Sequence, residues 1–298
     1  MISTVIAKKD EEKVLRLIHL SNTKALLPDK YVPWDDLETD DSFLPESLVS
    51  LAGHELYESL SFEQKRELGR FELAQIVYSY AWAEGVGCLI FNNRLVGLEP
   101  DSLEYKYLIK MSIEEYRHQE MFIRLIDTIK GKTFIMPSQR LFMTWYMRNA
   151  PQSHRFLSIL TVEIMADTYG KLIQDDKRIF RPVRKASQLH HIEEGRHIYY
   201  TKIWLSNYFD KASLLSRTTY SIVVMCNLLL LKSLYVREEI FEMIGVKDPK
   251  QYAREARKEL HKKFSKNCIG DAVSLVKEFN GFNFITRPLW KYFLNVSV

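Results

Sequence analysis

The chain has 298 residues, of which 46% are hydrophobic and 27% are charged, and this balance excludes a disordered or low-complexity protein. Its 42 basic and 38 acidic residues leave a formal net charge of +4, which is too small to require a nucleic acid or an anionic membrane as partner. With only 11 Gly and 9 Pro, the chain has few of the residues that form turns, and this favours long helices over many short strands.

The predicted elements are helical along most of the chain. The first 60 residues are the least regular, with one helix over 11–20 and an extended, proline-containing segment after it. From residue 61, where Ser61 and later Asp210 are predicted N-caps, no useful period-2 alternation of strands appears. The helices are predicted over 61–95, 101–131, 137–150, 153–174, 182–209, 210–236, 249–266 and 271–279.

Three local features bear on location and partners. The apolar run 222–231 is broken by Asn227 and is far shorter than the roughly 20 residues of a membrane span, so we expect a buried core helix. The basic stretch 247–266 is interrupted by Glu255 and Glu259, which is typical of a solvated helix face. The three cysteines form no close pair, and no signal peptide is evident. We therefore expect a cytoplasmic protein without a nucleic-acid or membrane partner.

An internal repeat contains the Glu and His residues that are candidates for a functional site. The pentad E-E-x-R-H occupies 114–118 and recurs 79 residues later at 193–197. A lone acid precedes the second Glu of each pentad by 31 residues: Glu84 precedes Glu115, and Glu163 precedes Glu194. The chain thus contains two copies of E-x30-E-x2-H, each spread over two consecutive predicted helices.

The spacing within each copy suits a metal ion. A Glu and a His three residues apart project from one helix face, one turn apart, so both side chains can reach the same ion. Glu84 and Glu163 lie in apolar runs, where an unpaired carboxylate is costly to bury. Four helices that each contribute such side chains are the arrangement with which ferritin-like bundles hold two iron or manganese ions. The predicted ligands are Glu84, Glu115, His118, Glu163, Glu194 and His197.

The two copies differ at one position. His190 lies four residues before Glu194 and seven before His197, on the same helix face, whereas Met111 occupies the equivalent place in the first copy. We predict His190 as a seventh ligand, with polar packing as the alternative. The neighbouring His191 points about 100° away and is not predicted to be a ligand.

Glu114 and Glu193 flank the ligand stripe. One interpretation is that each accepts the second ring N–H of a ligand histidine and so fixes its tautomer. The other is a surface ion pair with Arg117 or Arg196, and the sequence does not decide between the two.

Taken together, these residues resemble the p-aminobenzoate N-oxygenase (AurF-like) family of dinuclear iron oxygenases. The resemblance rests on Glu84, Glu115-x-x-His118, Glu163 and His190-x-x-x-Glu194-x-x-His197, over roughly 60–210. It implies an all-α fold with a ferritin-like four-helix bundle core and additional helices, and a homodimer. It also implies two Fe ions (with Mn or mixed Fe/Mn left open), O2 as co-substrate and an external electron donor. The implied reaction oxidises an amine or aryl amine to a hydroxylamine or nitro product.

On this basis we predict a single di-iron oxygenase domain over 1–298. It would consist of an irregular N-terminal extension (1–60), metal-binding helices (61–209) and C-terminal helices (210–298).

Several alternatives share this architecture. A ribonucleotide reductase small subunit carries a radical tyrosine four residues after the first ligand His, where this chain has Phe122. A ferritin-type iron store would be much shorter and would not need His190. A di-iron hydroxylase or desaturase remains open, because an apolar pocket around Phe91, Phe122 and Phe156 would suit an alkyl chain. A metal-binding protein without turnover also remains open.

Two further residues bear on the substrate. Asp167 lies one turn after Glu163, where the family tends to have an amide, and an unpaired acid there would repel a benzoate. The hypothesis is a cationic or carboxylate-free substrate, and the alternative is an Asp167 that is solvated or paired with a Lys. Arg287 is the one cation in 279–290 and is predicted to reach the pocket mouth.

Overall fold

The computed structural model describes residues 6–36, 42–134 and 137–297, except for the side chain of residue 267. Within these ranges the chain is helical and forms no strand, with one isolated bridge between Ser42 and Ile179. The helices are α1 (Glu11–Thr23), α2 (Pro28–Tyr31), α3 (Glu55–Glu58), α4 (Phe62–Leu95), α5 (Leu103–Thr128), α6 (Pro137–Asn149), α7 (Gln152–Asp175), α8 (Arg181–Phe209), α9 (Leu214–Tyr235), α10 (Glu238–Met243), α11 (Pro249–Lys263), α12 (Gly270–Glu278) and α13 (Thr286–Leu294). The all-α prediction is confirmed.

Four long helices form the core. α4 pairs with α5 and α7 pairs with α8, and contacts between α4 and α7 and between α5 and α8 close the bundle. These are the four helices of the two sequence copies, and with 24 to 34 residues they are the longest in the described chain. The ferritin-like four-helix bundle predicted from the motif is thus present.

Serine hydroxyls set the start of three predicted helices. Ser61 and Gln64 form the predicted capping box, with the Gln64 N–H donating to Ser61 Oγ and the Ser61 N–H donating to Gln64 Oε1. α5 begins at Leu103 because Ser102 caps it. The predicted helix 210–236 begins at Leu214, since Ser213 and not Asp210 accepts from the backbone of its first turn.

The remaining helices cover the bundle. α9 packs against α7 and α4, and α13, which the sequence did not predict, packs against α9. The stretch Leu214–Met243 has the length and composition of a membrane span, but 56% of its most apolar window is buried inside the protein. This burial agrees with the core helix expected from the apolar run. α10, likewise unpredicted, is only six residues long.

Candidate metal centre

The seven predicted ligands converge inside the four-helix core. Glu84 comes from α4, two residues come from α5, Glu163 comes from α7, and three come from α8. None is more than 9% exposed, although all are ionisable. Burial of so many ionisable groups in one place is costly unless they are paired with one another or with a cation.

The donor atoms form two compact groups. Within each group, one atom per residue lies within 4.8 Å of every other, which is close enough for a single metal ion. Each group draws on both sequence copies, so the two sites are shared between the copies. The first group is Glu84, His118, His190 and Glu194, and the second is Glu115, Glu163 and His197.

Glu115 and Glu194 lie between the two groups. Glu115 Oε2 is 3.0 Å from His118 Nδ1, and its other oxygen, Oε1, is 3.1 Å from His197 Nδ1. Glu194 Oε1 lies 3.2 Å from His190 Nε2, 3.3 Å from His118 Nδ1 and 3.5 Å from His197 Nδ1. A carboxylate that faces imidazoles of both groups is in position to bridge two ions.

The pattern of unsatisfied atoms fits cations. In the described part of the chain, both carboxylate oxygens of Glu163 are buried without a hydrogen-bond partner. The oxygens of Glu194 and the Nδ1 of His197 are also buried, and their short contacts to neighbouring ligands lack hydrogen-bond geometry. Buried polar atoms are normally hydrogen-bonded, so such a set needs another partner. Glutamate oxygens and imidazole nitrogens are the donors that iron and manganese accept. The residues therefore fit a pair of divalent ions.

The carboxylates of the site are of two kinds, those with a raised pKa and those with a lowered pKa. Burial, reinforced by neighbouring carboxylates, raises the pKa of Glu84 and of Glu163 well above the usual value for glutamate. Burial also acts on Glu115, but the nearby His197 and His118 outweigh it and lower its pKa to about 2. Burial lowers the pKa of His190 to about 4, which leaves its imidazole neutral and available as a donor. Divalent cations would replace the protons that Glu84 and Glu163 otherwise hold.

The two flanking glutamates brace the histidines across the copies. His197 of the second copy donates through Nε2 to Glu114 of the first at 2.8 Å, and His118 donates through Nε2 to Glu193 at 3.0 Å. Arg196 donates to Glu114 at 2.9 Å and to Glu193 at 3.3 Å. The contacts have the geometry of the first interpretation, and the ion pairs with Arg196 are buried and not at the surface, as the second interpretation had them. The bonds leave Nδ1 of both histidines for the metal groups.

The predicted apolar pocket is smaller than expected. Phe122 lies 4.9 Å from the His190 ring, and with Tyr80 and His190 it lines an otherwise mostly apolar cavity of about 20 Å³. That volume is close to the room that one water molecule needs. Phe91 and Phe156 instead pack against each other, and Phe156 stacks on Trp204 at 4.0 Å. These two residues are core packing, so the expectation of one pocket around all three rings was wrong.

Asp167 and Arg287, which were also predicted to face the substrate, lie in other surroundings. Asp167 is paired with Lys171 at 2.7 Å and is hydrogen-bonded to His191, so the alternative of a paired acid holds. Arg287 lies exposed on α13, whose main packing partner is α9, and it is not among the residues that line the cavity beside His190. The sequence analysis also missed Tyr80, which stacks parallel to the His190 ring at 6.5 Å. Its position one turn before Glu84 was the available signal.

Comparison with known proteins identifies the family of this chain. Residues 7–280 match the model of the p-aminobenzoate N-oxygenase AurF family. The chain belongs to this family. It is also similar to uncharacterized proteins of Mycobacterium bovis and Mycobacterium tuberculosis, with 20% identity over 273 residues that cover 85% of this chain and 76% of each relative. Membership in the AurF family implies a di-iron centre, and the buried Glu and His groups could bind it.

Proposed function

We propose that this protein is an O2-activating, non-haem di-iron oxygenase that N-oxygenates an amine or aryl amine to a hydroxylamine or nitro product. The observation that carries the proposal is the buried set of four glutamates and three histidines in two metal-sized groups. Membership in the AurF family supports the same reaction class. The proposed cofactor is two Fe ions, and Mn or a mixed pair is distinguished by metal analysis because the ligand types do not select among these metals.

The protein's own side chains have defined tasks in this proposal. Glu115 and Glu194 face both groups and would bridge the ions, while Glu84 and Glu163 would each serve one ion. Glu114 and Glu193 hold the two cross-braced histidines so that Nδ1 points to the metals. When bound, the ions supply the redox chemistry with O2. The seven side chains are each at most 9% exposed, and this burial keeps bulk water away from the site.

The balance of the reaction requires an electron donor. Insertion of one oxygen atom from O2 into an N–H bond releases the other atom as water and consumes two electrons and two protons. An external donor or reductase is therefore part of the proposal. We also propose that the protein is a cytoplasmic homodimer, and sedimentation of the purified chain measures its oligomeric state.

A second candidate substrate class is apolar. The cavity beside His190 is lined mainly by aliphatic and aromatic side chains, including Phe122 and Tyr80. A di-iron hydroxylase or desaturase that acts on a hydrocarbon group is the second candidate, and it requires the cavity, about 20 Å³ in volume here, to widen when the substrate enters. The pairing of Asp167 with Lys171 also removes the argument against a carboxylate-bearing substrate, so p-aminobenzoate belongs in the substrate screen.

The proposal is tested by loading the protein anaerobically with ferrous ion and mixing it with O2. We expect about two irons per chain, O2 uptake, and a new absorption band. Anilines, p-aminobenzoate, alkyl amines and alkyl chains are then screened by mass spectrometry with labelled O2. Label in a hydroxylamine or nitro product supports N-oxygenation, whereas label on carbon, or a new alkene, supports the second candidate. Iron loading without O2 uptake would indicate a metal-binding protein without turnover.

A further inference from the structure

Acidic residues are absent from three long stretches of the sequence. No Asp or Glu occurs in 128–162, in 211–237 or in 279–298, although the chain has 38 acids in 298 residues. The three stretches include all of α6, α9 and α13 and the first part of α7. Each of α6, α9 and α13 carries two cations. The small net charge of the whole chain therefore hides a strongly uneven distribution.

Tertiary contacts bring the acid-free stretches together around α9. Its Ser221 accepts from Trp290 Nε1 of α13 at 3.0 Å, and its Asn227 donates to Ser158 of α7 at 3.0 Å. At the other end of α9, Ser233 accepts from Gln139 Nε2 of α6 at 3.1 Å. Segments far apart in sequence thus form one region, which we call the acid-free surface, consisting of α6, α9, α13 and the residues 280–285.

The acid-free surface exposes large apolar side chains. On α6, Leu141 and Trp145 are 74% and 59% exposed, one turn apart, while Met143 and Met147 point inward. An apolar groove of about 510 Å³ separates α6 from α9. The other exposed apolar residues here are Phe142, Leu214, Leu215, Phe284, Ile285, Tyr292 and Phe293. Exposed apolar side chains gathered on neighbouring helices beside a groove are typical of interaction sites.

The cations of this surface have no acidic partners. In the described part of the chain, no salt bridge involves Arg148, Arg217, Arg287 or Lys291. α11 is different: its Lys258 and Lys262 pair with Glu255 and Glu259 at 3.0 and 2.6 Å. Lys258 and Lys262 of the most basic helix therefore have carboxylate partners, whereas the cations beside the exposed aromatic rings are available to an anionic partner.

We propose that the acid-free surface docks on a lipid bilayer with anionic headgroups. Aromatic and aliphatic side chains that insert at the headgroup level, flanked by Lys and Arg, are the chemistry of interfacial membrane binding. A second copy of the chain is the less favoured occupant, because two such surfaces would bring unpaired cations face to face. The proposal departs from the expectation drawn from net charge, and it does not depend on the proposed enzymatic function.

Sedimentation of the full-length protein with vesicles tests the proposal. We expect binding to phosphatidylcholine vesicles that contain phosphatidylglycerol, little binding to pure phosphatidylcholine, and loss of binding at high salt. The double variant Arg148→Gln, Lys291→Gln is expected to bind about 10- to 30-fold more weakly, because each cation near an anionic surface contributes about a tenfold factor or less. The double variant Phe142→Ala, Trp145→Ala is expected to bind at least as weakly.

The matched control is Lys258→Gln, Lys262→Gln on α11, which removes the same charge from paired positions. Its binding should stay within about twofold of wild type, since those lysines already have carboxylate partners. All substituted side chains are solvent-exposed, and circular dichroism checks the fold of each variant. Failure of the wild-type protein to bind anionic vesicles would overturn the proposal, as would equal weakening by the control. A dimer that Phe142→Ala, Trp145→Ala dissociates, without vesicle binding, would assign the surface to a second copy instead.

Discussion

The two copies of the repeat have the same ligand pattern and different surroundings. In the second copy His190 lies 3.1 Å from Glu84, the lone acid of the first copy. The corresponding partner is missing for Glu163, because the position equivalent to His190 in the first copy is Met111, which is fully buried. One metal group consequently has four donor residues and the other has three. Sequence equivalence of the copies therefore does not make the two sites equivalent.

The contacts between the copies explain why the difference is tolerated. Each outer glutamate braces a histidine of the other copy, and Arg196 joins both glutamates. Because these contacts cross from one helical hairpin to the other, neither hairpin can form a site alone. The repeat supplies equivalent side chains, and the packing of the four helices distributes them unequally between the two metal groups.

The largest expected effect comes from removing a central carboxylate. Glu115→Ala in the first copy and Glu194→Ala in the second should each reduce bound iron from about two ions per chain to almost none, because each carboxylate faces both groups. Iron content after anaerobic loading and gel filtration is the measurement. If either variant retained both ions, the bridging assignment would be wrong.

The second prediction concerns a substitution that makes the two copies alike. His190→Met reproduces Met111 of the first copy and removes one donor from the group of four. We expect the variant to lose one ion and to keep about one per chain, which metal analysis and calorimetric titration measure. The ligand interpretation of His190 fails if both ions remain with unchanged affinity, and polar packing would then be its role.

The third prediction concerns the cross-braces. Glu114→Gln and Glu193→Gln each remove a carboxylate that accepts from a ligand histidine. Loss of such an outer partner typically weakens metal binding about 10- to 100-fold. Competition with a chelator measures the affinity, and Glu255→Gln on the exposed face of α11 is the control. Similar losses of metal affinity in both variants would show that the two outer glutamates contribute equally. An unchanged metal affinity would contradict the proposal that these glutamates hold the ligand histidines.

The fourth prediction, for which no change in metal binding is expected, compares two buried acids of α4. Unlike Glu84, Glu72 lies outside both metal groups and is bound by the N–H and hydroxyl of Ser50. Burial raises its pKa from 4.5 to about 7, despite the opposing Ser50 bonds and Lys263. The native state then binds more protons at Glu72 than the unfolded state does between these values, so the contribution of Glu72 to stability is fully present below pH 4.5 and is lost as pH rises through 7.

Glu72→Gln should abolish this decline, which amounts to about 3 kcal/mol at most because each pKa unit corresponds to about 1.4 kcal/mol. Urea unfolding of wild type and variant at pH 5 and pH 8 measures the difference. The variant should load iron normally, which separates a merely buried acid from a ligand. Parallel stability profiles for the two proteins would contradict the raised pKa.

The sequence predicted the core of the fold and the members of the cluster. Low Gly and Pro content, capping serines and apolar stripes located the nine predicted helices, with some ends displaced by a few residues. The equal spacings identified six of the side chains that converge, and the shared helix face identified the seventh, His190. The six-residue α10 was missed because it has too few turns for a periodic pattern. α13 was also missed, although at nine residues it is as long as the predicted α12. Phe91 and Asp167 were misplaced because periodicity gives a helix face but not the neighbour that the face meets.

Periodicity and spacing within single helices are local properties, and they determined that this protein is a helical bundle with two sets of metal-type side chains. Which histidine each outer glutamate braces, which ligands share an ion and where Asp167 finds its partner depend on the packing of one hairpin against the other. The acid-free surface has the same origin, since three distant stretches of sequence became one surface only when α13 packed on α9 and α6 came to lie across the groove from α9. These features were decided by tertiary structure because contacts between distant residues leave no periodic signal in the chain.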